Sequence, residues 1–420
     1  MMEALRIVDP EIAAAIEQEI VQQGMTIELN AATNLCSRAV LEAQGNLFAY
    51  KTLEGYPGSR FHGGHHQVDV VENLAIERAK KLFGAEHANI QPHCGVNANL
   101  AVYFAVLKPG DYILGMDLAM GGHLSHGHKA TFSGKFLKSF SYGVDPQKEL
   151  IDYDQVHRIA RTERPKMIIC GGSAYPRIID FARFRSIADE VGAYLLADIA
   201  HIAGLVAGEA YPSPVPYADF VTFTTYKTLR GSRGGTILCK KDYAPKIDRG
   251  VFPGIQGSMH VHLMAGKAVT FKLASTASFK AYARQVIENA RGLAKALQDR
   301  NYRIVTGGTD THIVLIDLRT TRLTGAEAQA RLEEAGIICN KNSIPFDTRS
   351  PELSSGVRIG TSAVTTRGFR EPEMVALAEM IDALLCGNDI RKQMIEVKQR
   401  VKELCRRFPL PMDHREMGAL

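Results

Sequence analysis

The sequence predicts an α/β protein: a mostly parallel sheet covered on both faces, followed by a smaller α/β domain. Three observations carry this reading. From about residue 90 to 250, short apolar runs alternate with helical or irregular stretches. The runs are rich in Val, Ile and Leu, as strands buried on both faces are. Ser173, Asp198, His201 and Lys227 fall at or just after the ends of these runs, where open α/β sheets bind ligands.

The elements follow in order. Residues 1–45 read as a helix and an extended arm. Val68–Phe83 reads as a helix in which Val71, Leu74, Ala75, Arg78 and Leu82 share a face, with Gly84 as the C-cap signal. Asp111–Met116, Lys166–Cys170, Tyr194–Asp198, Phe220–Thr225 and Thr236–Cys239 read as strands. A long helical stretch from Leu263 to Leu297 connects them to the second domain. There Ile313–Leu318, Ile337–Asn340 and Val357–Gly360 read as strands. Thr324 with Glu327 forms a capping box that opens a helix, and Glu371–Leu385 is an amphipathic helix. The basic stretch from Arg391 to Arg407 mixes Glu and apolar residues at helical spacing, which is the solvated face of a terminal helix.

Composition bounds the function. The 420 residues suit roughly two to three domains. Hydrophobic residues at 45% and charged residues at 23% describe a globular chain with a large core. A net charge of +5 is small for this length and gives no reason to expect nucleic acid or a membrane surface as partner. No apolar run is long enough to cross a bilayer, and no signal-peptide core stands at the start. Seven cysteines without a CxxC pair favour a reducing compartment, so a cytoplasmic location is expected.

Chemistry begins at Lys227, in Thr224-Thr225-Tyr226-Lys227-Thr228-Leu229-Arg230-Gly231. It reads either as a surface lysine in a loop or as a Schiff-base lysine in a desolvated pocket, where its amine becomes nucleophilic. Asp198 ends an apolar run. It reads either as a cap for the next helix or as the partner of a buried cation such as a pyridinium nitrogen. Gln91-Pro92-His93-Cys94-Gly95-Val96-Asn97-Ala98-Asn99 precedes a helix-like run from Leu100, so its backbone N–H groups suit a phosphate.

Longer stretches now become specific. They are Leu53-Glu54-Gly55-Tyr56-Pro57-Gly58, Leu114-Gly115-Met116-Asp117-Leu118-Ala119, Gly121-Gly122-His123-Leu124 and Tyr142-Gly143-Val144-Asp145. Asp198-Ile199-Ala200-His201-Ile202-Ala203-Gly204-Leu205-Val206, Lys227-Thr228-Leu229-Arg230-Gly231 and Phe252-Pro253-Gly254 continue the series. On these motifs the chain resembles serine hydroxymethyltransferases from about Ile27 to Phe408. The resemblance implies a pyridoxal-phosphate enzyme of the aspartate-aminotransferase (type I) fold, with a seven-stranded, mostly parallel sheet. It implies a large cofactor-binding domain at 46–270, a small C-terminal domain at 271–420 and an N-terminal helix and arm at 1–45. It also implies a homodimer whose active site is shared between subunits.

Roles carried over by the resemblance are as follows. Lys227 matches the Schiff-base lysine and Asp198 the partner of the pyridinium nitrogen. His123 matches the imidazole stacked on the cofactor ring, while His201 and Ser173 match contacts near its phenolic oxygen. Cys94, Gly95 and Val96 match the phosphate loop, and Gly257 a further cofactor contact. Arg358 matches the grip on the substrate carboxylate and Glu54 the proton shuttle at the hydroxymethyl group. Tyr226 and Thr224 join the catalytic set; for Tyr226, simple packing is the competing reading. Leu118, Gly121, Gly122, Leu124 and Asn342 match a tetrahydrofolate site.

Departures from the family pattern cluster around the substrate. Thr52 and His62 each stand where the pattern has tyrosine, and Tyr226 where it has histidine. Cys94 and Val96 replace two serines, and Ala32 replaces a serine that helps to bind the carboxylate. Ser258 and Met259 replace a glycine and a proline. Since Lys227, Asp198, Arg358, Glu54 and His123 remain, the pattern is remodelling rather than decay. The expected activity is hydroxymethyl transfer between tetrahydrofolate and an amino acid, with alanine and α-methylserine in place of glycine and serine. The alternative is a folate-independent β-hydroxy amino acid aldolase or threonine transaldolase. His62, His65 and His66, and His123, His126 and His128, match no metal motif, so no metal is expected.

Overall fold

The computed structural model describes residues 3–387 and 389–411. The outer ends of the first and last expected regions, 1–2 and 412–420, lie outside the described residues, as does 388. A seven-stranded sheet organises the larger part of the fold. Its spatial order is His87–Asn89, Gly235–Cys239, Phe220–Thr224, Tyr194–Asp198, Met167–Cys170, Tyr112–Met116 and Lys138–Tyr142. Gly235–Cys239 runs antiparallel to both neighbours, and the other pairings are parallel.

Side-chain alternation explains why these strands read as continuous apolar runs. Leu114, Ile168, Leu195, Val221 and Leu238 enter one core. Ile113, Met167, Leu196, Phe220 and Ile237 enter another, on the opposite face. All five expected strands are present, each within a residue or two of its expected ends.

A second core forms around the four-stranded sheet Arg303–Ile304, Ile313–Asp317, Gly356–Gly360 and Asn340–Asn342. The helices Ala277–Gln298, Glu371–Cys386 and Ile390–Arg407 pack on it. Thr324 and Glu327 form the expected reciprocal cap, with Thr324 Oγ1 accepting from Glu327 N at 3.1 Å and Glu327 Oε2 from Thr324 N at 2.8 Å. The last helix buries Met394, Val397, Val401, Leu404 and Cys405 and leaves its charged residues largely at the surface. Among the described residues, no helix is long and apolar enough to cross a membrane.

Several expectations are corrected. The long connector is two helices, Val261–Ala274 and Ala277–Gln298, because Thr276 caps the second by accepting from Phe279 N. Ile337–Asn340 is not one strand. Ile337–Ile338 pairs with Ile27–Glu28 of the arm, whereas Asn340–Asn342 pairs with Gly356–Gly360. The arm is also interrupted by a helix, Arg38–Gln44. The helix His66–Phe83 does end at Gly84 (φ +69°), but it buries Val68, Glu72, Ala75, Ala79 and Phe83 and leaves Leu74 exposed. The register is shifted because Glu72 is drawn inside by Arg60 and by Gln91, which donates at 2.7 Å. Finally, the helix after the Gln91 loop begins at Gly95, so loop and first helical turn are one structure.

Candidate functional site

The C-terminal ends of the parallel strands deliver the site. Tyr194–Asp198 ends on Asp198, and Lys227 lies three residues past Phe220–Thr224. Cys94, Gly95, Val96, His123, Ser173, His201, Thr224, Tyr226 and Lys227 line one cavity with Asp198. Sequence order separates them widely; the sheet brings them together.

Asp198 is buried, and both of its carboxylate oxygens accept hydrogen bonds. Oδ2 accepts from Asn99 Nδ2 at 2.8 Å and from His126 Nε2 at 2.9 Å, while Oδ1 accepts from Ala200 N at 3.0 Å. Burial pushes the carboxyl up, but hydrogen bonding and charge from His126, with His123 and Asn99, outweigh it and hold the group well below the ordinary carboxylate range. The network continues outward. Thr222 donates to Asn99 Oδ1 at 2.6 Å, and Asn99 also donates to Ser125 Oγ at 2.9 Å. His123 Nδ1 accepts from Ser125 N at 3.2 Å and faces Ser125 Oγ at 2.7 Å, so Nε2 carries the hydrogen of the neutral ring. Burial lowers the His123 pKa to about 4, against the opposing pull of Asp198.

Lys227 is buried at the same cavity, and its Nζ makes no hydrogen bond among the described residues. Burial lowers its pKa to about 8; the Asp198 charge opposes this, and Arg358 and Arg233 add to it. Its carbonyl is held by Asn34 Nδ2 at 2.8 Å. The neighbouring Tyr226 ring lies 4.2 Å from the Arg233 guanidinium carbon. Thr224 donates to Ala200 O at 3.1 Å.

At the phosphate loop, Cys94 is the N-cap of Gly95–Val106, and its thiol donates to Asn97 Oδ1 at 2.9 Å. Gly95 is required by packing, since a Cβ there would lie 2.8 Å from Thr224 Cγ2. Among the described residues the amides of Gly95 and Val96, both at the cavity, donate to no backbone acceptor. Arg358, in the middle of Gly356–Gly360, reaches across to donate to Ser173 O at 2.6 Å and to Asn340 Oδ1 at 3.0 Å. Burial lowers its pKa to about 10. His201 is buried with a depressed pKa, stacked on His312 at 5.6 Å and 17°. The buried Nδ1 atoms of His201 and His312 have no partner among the described residues. His312 Nε2 donates to Ala31 O at 3.0 Å, which fixes the arm that carries Ala32.

Other expected residues lie elsewhere on this chain. Thr52, His62 and Gly257 are exposed, Glu54 is half-buried, and none of them lines the Lys227 cavity. They share one patch. His65 ring nitrogens face the carbonyls of Thr52 at 3.0 Å and His62 at 2.7 Å, and a Cβ on Gly257 would lie 3.8 Å from Glu54 Oε1. Leu118 and Leu124 are exposed on the loop that follows Tyr112–Met116, and Asn342 ends its edge strand. Gly121 and Gly122 have packing reasons of their own. Gly121 adopts φ +109° and accepts from Ser173 N at 2.8 Å, and a Cβ on Gly122 would lie 2.1 Å from Met116 O.

Asn99, Ser125, His126 and His312 are site residues that the sequence reading did not assign. Asn99 stands inside the Gln91–Asn99 stretch, and His126 within the histidine set, so the signal was present without its partner. His123, His126 and Asp198 have donor atoms within 4.8 Å of one another. Asp198 Oδ2 accepts from His126 Nε2 and His123 Nδ1 faces Ser125 Oγ, while the buried His126 Nδ1 has no partner among the described residues.

The arrangement offers three things in one cavity: a carboxylate held ionised for a cationic ring nitrogen, a desolvated amine for a carbonyl carbon, and helix N–H groups for an anion. A family model described as serine hydroxymethyltransferase matches residues 5–381.

Proposed function

Because the chain belongs to the serine hydroxymethyltransferase family, whose pyridoxal-phosphate enzymes move a one-carbon unit between tetrahydrofolate and an amino acid, we propose that its acceptor is alanine and its product α-methylserine. The cavity fits the cofactor. Asp198 is already ionised and buried, Gly95 clears a helix N-terminus, and the buried His201 Nδ1 lacks a partner among the described residues. When bound, pyridoxal phosphate supplies an electron sink for the carbanion at the substrate's α-carbon.

The chain's own residues do the rest. Asp198 holds a proton on the ring nitrogen, while Asn99 and His126 keep it from taking that proton itself. Lys227, whose pKa burial lowers to about 8, is the amine that would hold the cofactor through its carbonyl carbon. Cys94, Gly95 and Val96 seat the phosphate with backbone amides. Arg358 grips the substrate carboxylate with a planar pair of donors. His123, neutral because burial lowers its pKa to about 4, would cover the ring. Glu54 moves the proton at the hydroxymethyl oxygen. Leu118, Gly121, Gly122, Leu124 and Asn342 contact the folate.

Thr52, His62, Glu54 and Gly257 sit outside the cavity of their own chain. A second copy of the chain brings them to it, so the working unit is a homodimer with shared sites. The observation that carries the acceptor assignment is the paired loss of two tyrosines, at Thr52 and His62, while Lys227, Asp198, Arg358, Glu54 and His123 persist. Both smaller side chains are exposed on their own chain, so no neighbour there has closed over the vacated space. Burial of the extra methyl is worth about 0.8 kcal/mol; relief of the clash with two rings is the larger effect.

The test offers holoenzyme and methylene-tetrahydrofolate to alanine and glycine separately and identifies products by mass. α-Methylserine with little serine supports the assignment. Serine alone sinks it. Turnover of β-hydroxy amino acids that ignores added tetrahydrofolate would establish the aldolase alternative instead.

A further inference from the structure

Lys267 lies on the helix Val261–Ala274 and is buried. Its Nζ donates to three backbone carbonyls: Ile90 at 2.6 Å, Pro92 at 3.0 Å and Gly235 at 2.8 Å. An ammonium has three N–H donors, and all three are spent here on neutral acceptors. Among the described residues it has no ion-pair partner. Glu72, whose charge reaches it, is engaged by Arg60 and Gln91.

The three carbonyls frame the N-terminus of Gly95–Val106. Ile90 and Pro92 lead directly into the N-cap Cys94. Gly235 opens the strand Gly235–Cys239 and donates its own N–H to Pro92 O at 2.9 Å. Glycines make the room. At Gly234, with φ +155°, a Cβ would lie 2.0 Å from Lys267 Cε; at Gly235 it would lie 2.3 Å from Cys94 O. Gly234 O accepts from Thr225 N at 3.2 Å, which extends the junction to the segment that carries Lys227. Three carbonyl oxygens aimed at one point repel one another unless a cation stands among them.

We propose that Lys267 is a positioning residue for the cofactor's phosphate: its ammonium fixes the turn from Ile90 to Cys94 and supplies buried positive charge behind a loop whose Cys94 and Val96 carry no hydroxyl. This rests on the reading that the phosphate sits at that helix N-terminus. Binding is then coupled to a proton. Burial lowers the Lys267 pKa to about 7, and Glu72 and Cys94 oppose this. A phosphate dianion raises it again, so binding above neutral pH takes up a proton at Lys267. Other charged and titratable groups on the surrounding elements include Arg78, which donates to Ala268 O on the Lys267 helix at 2.8 Å, Arg60, His93 on the turn with its ring neighbour His260, and Arg233 next to Gly234.

The experiment measures the affinity of apoenzyme for pyridoxal phosphate and for pyridoxal between pH 7 and 9. Chemistry at Lys227 is common to both ligands and cancels in the ratio of dissociation constants. The phosphate of the ligand is already doubly ionised through this range, since its second pKa is about 6. The wild-type preference for the phosphorylated ligand is expected to fall by up to tenfold per pH unit. K267M is expected to reduce that preference at least tenfold at pH 7 and to make it flat with pH. A flat wild-type ratio overturns the proposal. So does a K267M enzyme that keeps the wild-type ratio, or one that weakens both ligands equally, as a mere staple would. If K267M fails to fold, the wild-type pH profile decides alone. V96D tests the seat itself by placing a carboxylate at the helix N-terminus. If V96D leaves the ratio intact, the phosphate seat is misplaced; if V96D collapses it and K267M does not, only the role of Lys267 fails.

Discussion

Replacing Asn99 with aspartate tests the buried network at its centre. The substitution is isosteric, but it removes the Nδ2 donor and places a second carboxylate oxygen about where Nδ2 sits, 2.8 Å from Asp198 Oδ2. Two unit charges some ~4 Å apart repel by about 4 kcal/mol at an effective dielectric of ~20. That is roughly three pKa units, so the pair is expected to hold one shared proton up to about pH 7. The sign follows from linkage. The folded pair's pKa is raised above the unfolded value of about 4, so between ~4 and ~7 the folded state binds more protons than the unfolded one. Stability relative to wild type therefore falls as pH rises, by up to about 1.4 kcal/mol per unit, and levels off near 4 kcal/mol. Asn99→Ala behaves differently. It removes a hydrogen bond to a charged group and strands the buried Thr222 hydroxyl, for a loss of about 2–5 kcal/mol with no pH dependence. Calorimetric unfolding of the apoenzyme at pH 5, 6, 7 and 8 separates the two. A pH-independent loss in N99D, or a near-neutral N99A, would refute the network as drawn.

Three further outcomes are expected. His312 has a folded pKa of about 3 against an ordinary 6.5, because burial outweighs its bond to Ala31 O. The stability this gives is complete above 6.5 and is lost as pH falls toward 3, so H312Q should flatten the fall in Tm between pH 7 and 5; an unchanged slope refutes it. Mixing inactive K227A and E54Q protomers should restore about a quarter of wild-type activity, since half the dimers are mixed and each holds one intact shared site; no recovery after verified exchange argues for sites within single chains. T52Y/H62Y should move the preference from alanine toward glycine by at least tenfold in relative kcat/KM, about 1.4 kcal/mol, and an unmoved preference places the determinant elsewhere.

Five of the seven strands were legible because they feed two cores in alternation, so that most positions in a run are apolar; Lys138–Tyr142, with Lys138, Ser139 and Ser141, and the three-residue His87–Asn89 carry no such signal. Helix register was less so. Nothing local to Glu72 announces that Arg60 and Gln91 will draw it inside and turn Leu74 outward. A single threonine cap at Thr276 broke a periodic pattern that read as one helix. In the site, Asp198 and Lys227 were visible as polar residues at strand ends. Their partners were not, because Asn99 lies 99 residues from Asp198 and His126 lies 72 from it, and only the folded sheet joins them. Thr52, His62 and Glu54 were readable through resemblance alone; their own chain leaves them in a separate patch.

The most direct measurement is a competition. Holoenzyme with methylene-tetrahydrofolate as the sole one-carbon donor receives equal concentrations of alanine and glycine in one vessel. The initial ratio of α-methylserine to serine then equals the ratio of the two kcat/KM values. A remodelled acceptor site predicts α-methylserine in excess by at least tenfold. Serine in excess would contradict the account, and with it the assignment of Thr52 and His62 as the residues that set the acceptor.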